Sequence, residues 1–213
     1  MGEVEVPGTY RLSSFSTVFN ALYRAGGVSS IGSLRDIKVM RAGTKVGTVD
    51  VYDYILNGKI NNDIRLQEGD VIVVPPYSML VNIEGNIKRP MFYEMKQGET
   101  MESIIDYAGG FTGDAYKDEV KLFRRNGREN RIFSVTSANY PGWQLADGDS
   151  ISVSPILDRF SNRVEIQGAV YRPGMFELGN GISTVKDLIE RANGLTGDAF
   201  TGRAVLTLSL IHI

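Results

Sequence analysis

The sequence predicts an α+β protein made of small tandem domains, and three observations predict it. The stretch 81–95, VNIEGNIKRPMFYEM, returns at 164–178 as VEIQGAVYRPGMFEL, and a clipped copy, GEVEVPGTYRL, opens the chain at 2–12. Gly2, Gly85 and Gly168, then Pro7, Pro90 and Pro173, then Tyr10, Tyr93 and Phe176 keep a step of 83 residues without a gap. Each period also carries one apolar stripe of helical spacing among stretches that alternate like strands. A period this long means a string of complete small domains, because a solenoid unit is too thin to enclose a core alone.

The middle repeat justifies its elements one by one. Val81, Ile83 and Ile87 alternate as a strand interrupted at Gly85, Lys88, Arg89 and Pro90 turn it, and 92–95 return as a hairpin partner. Thr100 is the expected N-cap of a helix whose Met101, Ile104, Ile105 and Ala108 share one face, and Gly109 and Gly110 stop it. Residues 120–125 form a strand, Asn126 and Gly127 supply a tight hairpin turn, and 131–135 run back. The stretch 145–153 gives a last strand before Pro155. Strand, strand, helix, strand, strand, strand is the order of the β-grasp, or ubiquitin-like, fold, with one helix packed across a mixed sheet.

The first repeat carries the same signals: Thr17 as cap, then Val18, Ala21, Leu22 and Ala25 on one face, Gly26 and Gly27, a strand at 37–41 and a terminal strand within 66–74. In the third, Thr184 precedes Val185, Leu188, Ile189, Ala192 and Gly194, and a strand is expected at 203–207. The predicted division is 1–78, with its first strand clipped, a complete domain at 79–158, and a truncated third at 162–213. The hexapeptide LSLIHI at 208–213 reads as a translated transposon-type sequencing adapter and is expected to be non-native. Short linkers at 77–78 and 156–162, flanked by prolines, favour fixed orientation over free tethering.

Composition narrows the chemistry. A 42% hydrophobic and 23% charged chain is that of an ordinary globular protein, and units near 80 residues bury roughly 60–65% of their unfolded surface, enough to fold marginally alone. The net charge of −2 gives no basic patch for nucleic acid, and no apolar run reaches membrane-spanning length. The sequence has no signal peptide at Met1 and no lipobox cysteine. Cysteine is absent and the single histidine, His212, lies in the suspect tail. Nucleophilic triads and zinc sites built on histidine or cysteine are therefore excluded, and neither a cofactor nor a metal is expected.

Carboxylates remain as candidate catalysts, since Asp147 with Asp149, and Glu68 with Asp70, have acid–base spacing. Their place just before a terminal strand in both repeats favours turn capping instead. The glycine runs at 109–113 and 193–197 follow their helices, so they meet the wrong dipole end for phosphate. Arg89 and Arg172, each before the hairpin proline, are tentative interface or glycan contacts, with a solvated turn as the simpler reading. Arg124, Arg125 and Arg128 read as a solvated hairpin tip. Trp143 and Tyr140 form a turn, where an aromatic ring can stack on a sugar or a neighbouring subunit, or plug the local packing.

The motif V-x-I-x-G-x-[IV]-x-R-P, a helix ending A-G-G or A-N-G, and L-x-[DE]-G-D-x-I-x-V together resemble the SLBB (soluble-ligand-binding β-grasp) domain, up to about Thr207. Tandem copies look like the Wza-type polysaccharide biosynthesis and export proteins, especially many-repeat versions from Bacteroides-like bacteria. That resemblance implies a non-enzymatic, homo-oligomeric ring, periplasmic and outer-membrane associated, through which capsule or exopolysaccharide leaves the cell. It also implies polysaccharide and an inner-membrane polysaccharide co-polymerase as partners, and contact with the membrane only through parts outside this chain. The alternative class is a β-grasp small-ligand module, like a cobalamin carrier or a redox-complex subunit, though the latter needs iron–sulfur cysteines.

Overall fold

Thr17 begins helix α1 (Val18–Arg24) by donating its N–H to Asn20 Oδ1 at 3.0 Å, and Val18, Ala21 and Leu22 form its buried face. These residues belong to a computed structural model that describes residues 1–59 and 63–207. Strand β1 (Ile37–Arg41) follows and pairs antiparallel with β2 (Thr44–Val49) across a turn at Ala42 and Gly43. A second helix, α2 (Val51–Asn57), stands where the sequence signals named no element. Asp50 caps it by accepting the Tyr52 N–H at 3.0 Å, and Gly58 closes it at φ 65°. Strand β3 (Val71–Val73), shorter than its predicted stretch, pairs with β1 and gives the order β2-β1-β3.

In the middle repeat, β4 (Leu80–Gly85) and β5 (Met91–Glu94) form the first hairpin, and α3 (Met101–Tyr107) follows. Strands β6 (Glu119–Asn126) and β7 (Glu129–Thr136) make the long ribbon turned at Gly127, and β8 (Ser150–Val153) ends the repeat. The sheet order is β5-β4-β8-β6-β7, with β4 and β8 parallel and the other pairs antiparallel. That mixed sheet with α3 on one face is the predicted β-grasp architecture. Met101 and Ile104 are wholly buried against Val81, Ile83, Leu122 and Ile151.

The third repeat supplies the antiparallel pair β9 (Arg163–Ile166) and β10 (Gly174–Glu177), then α4 (Val185–Arg191). Two expectations are corrected here. Residues 203–207 form no strand and are exposed. Strand β6 is held between β7 and β8, whereas 203–207 have neither neighbour among the described residues. Val185, expected on the buried face of α4, is 54% exposed, while Leu188 and Ala192 are buried. The proposed adapter-derived tail at 208–213 lies outside the described residues. The chain divides into two compact units between Ile156 and Leu157, so the first two repeats make one body. Among the described residues no helix is long and apolar enough to cross a membrane.

The repeated glycine has a steric cause. A Cβ on Gly85 stands 2.1 Å from the Val153 carbonyl oxygen, and one on Gly2 stands 2.1 Å from that of Val74. Both residues sit at positive φ where the first strand crosses the end of the last. In the first repeat Met1, Gly2 and Glu3 run along this side of β3. Beside them a groove of about 1220 Å³ opens, lined by Leu22, Leu66 and Tyr10 among others.

Candidate functional site

The hairpin corners are pegged to the helix ends in the same way three times. Lys88 and Arg89 donate their N–H groups to the Gly110 and Ala108 carbonyls, as Tyr171 and Arg172 do to Gly194 and Ala192, and Glu5 and Val6 to Gly27 and Ala25. The backbone thus satisfies carbonyls that each helix C-terminus leaves open. The Arg89 guanidinium adds a bond from Nη2 to the Tyr107 carbonyl at 2.8 Å, which also places a cation at the negative end of α3. Arg172 is exposed and makes no side-chain hydrogen bond or ion pair among the described residues.

The acids before the terminal strands are turn ligands. Asp149, 1% exposed, accepts the Ala146 N–H at 2.8 Å and receives Arg124 Nε and Nη2 at 2.8 and 2.7 Å. Asp70 repeats this arrangement with the Gln67 N–H and Arg41, each bond 2.8 Å. Hydrogen bonds from Arg41 first, then the Gln67 N–H, outweigh burial and hold the Asp70 carboxyl below its usual range. Asp147 accepts the Leu80 N–H at 2.8 Å. Both oxygens of Asp149 and of Asp70, and one of Asp147, are engaged in closing turns, which is the capping role expected at this place. Arg124 is correspondingly a lock of its turn and only partly a solvated tip residue.

Tyr140 is 7% exposed, and its hydroxyl donates to the Lys117 carbonyl at 3.1 Å; burial pushes its pKa up to about 12. Trp143 is half-buried and stands edge-on to Phe133 at 5.6 Å. Its carbonyl receives the Met101 N–H at 2.9 Å. Tyr140 belongs to the buried core of the middle repeat, and Trp143 packs against it.

The feature with no counterpart in the sequence reading lies between the first two repeats. Arg35, 6% exposed, leads into β1 and points its guanidinium into the middle repeat. Its Nη1 and Nη2 donate to Glu99 Oε2 and Oε1 at 2.7 and 2.8 Å, Nη1 also reaches the Glu94 carbonyl at 3.1 Å, and Nε meets Asp50 Oδ2 at 3.2 Å. The Tyr52 and Tyr107 rings stand edge to face at 5.5 Å, with the guanidinium 4.6 and 5.2 Å from their centroids. The Glu94 carboxylate is held by Ser33 Oγ at 2.5 Å and the Leu34 N–H at 2.7 Å, while its own N–H donates to the Tyr52 hydroxyl at 2.7 Å. Lys96 closes the rim on Asp50 at 2.6 Å.

Electrostatically the joint is self-consistent. Burial alone raises the Glu99 pKa, yet bonds from Arg35, the Lys96 N–H and Tyr107 outweigh it and hold the carboxyl below its ordinary value. Burial pushes Tyr52 up to about 12. The residue 83 positions after Arg35 is Asp118, so the arginine is not demanded by the fold.

Comparison with known proteins follows the same frame. Models of the SLBB domain match residues 1–74, 80–133 and 163–208, one match in each repeat. Two curated sequences, each a "Polysialic acid transport protein KpsD" of Escherichia coli, are 27% identical over 168 residues, covering 78% of this chain. The chain spans about 29% of the length of these relatives. With the β-grasp sheet and family matches in all three repeats, the chain belongs to the SLBB domain family.

Proposed function

We propose that this chain is a non-enzymatic structural segment of a polysaccharide export conduit. The observation that carries this reading is the similarity to polysialic acid transport proteins along 78% of the chain. In this reading the full-length protein is periplasmic and outer-membrane associated, assembles as a homo-oligomeric ring, and meets polysaccharide and an inner-membrane co-polymerase. The domains 1–78, 79–158 and 162–213 are then successive modules of that segment. The Arg35 joint supports the reading physically, since a conduit wall needs consecutive modules held at one angle while polymer passes. In this reading the exposed corners of Arg89 and Arg172 face neighbouring subunits.

Deleting the segment encoding these repeats from the intact gene tests the proposal. Surface polysaccharide should be lost and polymer retained inside the cell, and the detergent-extracted oligomer should shrink. Unchanged surface polymer would overturn the export role. Normal oligomers and normal capsule in an Arg89→Ala, Arg172→Ala protein would remove those two residues from the interface.

A further inference from the structure

The solvent face of the middle sheet is not uniformly polar. Strand register lines up Phe92, Asn82, Ser150, Phe123 and Ile132 in one row across all five strands. Phe92 is 60% exposed and Ile132 66%. At the β5 end this row sinks into a depression of about 400 Å³ lined by Tyr77, Phe92, Asn82, Ser150, Arg125 and Asp147. Asn82 and Ser150 lie 3.4 Å apart through Nδ2 and Oγ, leaving further donor and acceptor capacity on both. Arg125 makes no ion pair among the described residues, and Asp147 uses one oxygen on the Leu80 N–H.

The fold does not require this set. The positions one repeat away from Phe92 hold Thr9 and Met175, and the one after Asn82 holds Glu165. A solvent-facing position tolerates almost any residue, so an exposed ring beside an amide, a hydroxyl, a guanidinium and a carboxylate is a chemical choice. Ring faces stack on the C–H face of a pyranose, while planar amide, carboxylate and guanidinium groups bond its equatorial hydroxyls two at a time. The size is that of a small-ligand site.

We propose that this depression is a subsite for a hydroxyl-rich pyranose unit of a glycan, with Phe92 as stacking platform and Asn82, Ser150, Arg125 and Asp147 as hydroxyl ligands. Arg125 and Asp147 oppose each other in charge, so the subsite reads hydroxyls and ring faces and not net charge. The proposal deepens the export reading and rests on it for the class of ligand.

Saturation-transfer NMR on the 213-residue chain tests it, using hexasaccharides of glucose, galactose, mannose, N-acetylglucosamine and galacturonate as probes. At least one neutral probe should receive transfer at millimolar concentration and shift the amides of Asn82, Phe92 and Ser150. Phe92→Ala and Arg125→Ala should each weaken it at least tenfold with the melting temperature unchanged. No transfer to any probe, transfer unchanged in both variants, or binding of galacturonate alone with steep salt dependence would overturn the subsite. These outcomes leave the export reading standing, because that reading fails only if surface polymer persists when the repeats are deleted.

Discussion

In the middle repeat β4 lies parallel to β8 from Asn82 to Gly85, and β5 brings Tyr93 and Met95 down over the core at 4% and 1% exposure. In the first repeat Met1, Gly2 and Glu3 run along the same side of β3, Leu12 stands 36% exposed in the place of Met95, and the groove runs alongside. The two helices are nonetheless alike, each seven residues long with the same buried face. Where the middle repeat has a short 3-10 turn at Ser137–Asn139 the first repeat has the longer helix α2, and its cap Asp50 and residue Tyr52 both serve the joint. The first module thus carries the hardware that fixes it to its neighbour.

The largest effect should come from placing a charge on equivalent helix positions. Ile105→Asp buries a carboxylate in the sealed core at a cost of several kcal/mol, comparable with a domain stability of roughly 5 kcal/mol, and should abolish cooperative melting of the middle repeat. Leu22→Asp, one period earlier and lining the groove, should cost clearly less because its carboxylate can reach water. Equal losses by calorimetry would show that the groove is closed in solution.

Breaking the joint comes next. Arg35→Met leaves Glu99 and Asp50 without their buried partner and should cost about 3 kcal/mol, splitting one calorimetric transition into two. Adding Glu99→Met should recover stability to within about 1 kcal/mol of the native chain, since the stranded charge is then removed. A single variant that melts like the native chain would mean that the repeats are held by something else.

Acid should loosen the same joint. The Glu99 carboxyl is depressed in the folded state, so the unfolded chain binds more protons and the contribution is lost as pH falls through the folded value. It is fully present above the ordinary glutamate range near ~4.3. Melting curves from pH 6 downwards should therefore fall less steeply in Glu99→Gln, and parallel curves would contradict the assignment.

The smallest effect separates the two corners. Arg89→Ala should cost about 0.5 kcal/mol through its lost bond to the end of α3, whereas Arg172→Ala should leave denaturant midpoints unchanged. Equal effects would show that the side-chain bond of Arg89 contributes nothing.

The frame of this protein was legible because its signals are local and repeat. Thr100 before Met101, Ile104 and Ile105, the Asn126–Gly127 turn and the 83-residue spacing each announce an element without reference to distant residues. Helix α2 had such signals too, Asp50 at its start and Gly58 at its end, but no repeat partner to draw attention to them. The joint was out of reach for a different reason. Arg35 and Glu99 are 64 residues apart and meet only after two sheets have formed and packed. The partners of Tyr140 were equally out of reach, since its ring folds back over Phe111 at 6.3 Å and its hydroxyl reaches the Lys117 carbonyl 23 residues away.

The central claim is that Arg35 locks the first two repeats at one angle. Spin labels at Lys45 and Arg128, both exposed and on different repeats, report that angle through their dipolar distance distribution. The native chain should give one narrow distribution, and Arg35→Met should broaden it without loss of either repeat's secondary structure. A broad distribution in the native chain, or a narrow one that survives Arg35→Met, would contradict the account.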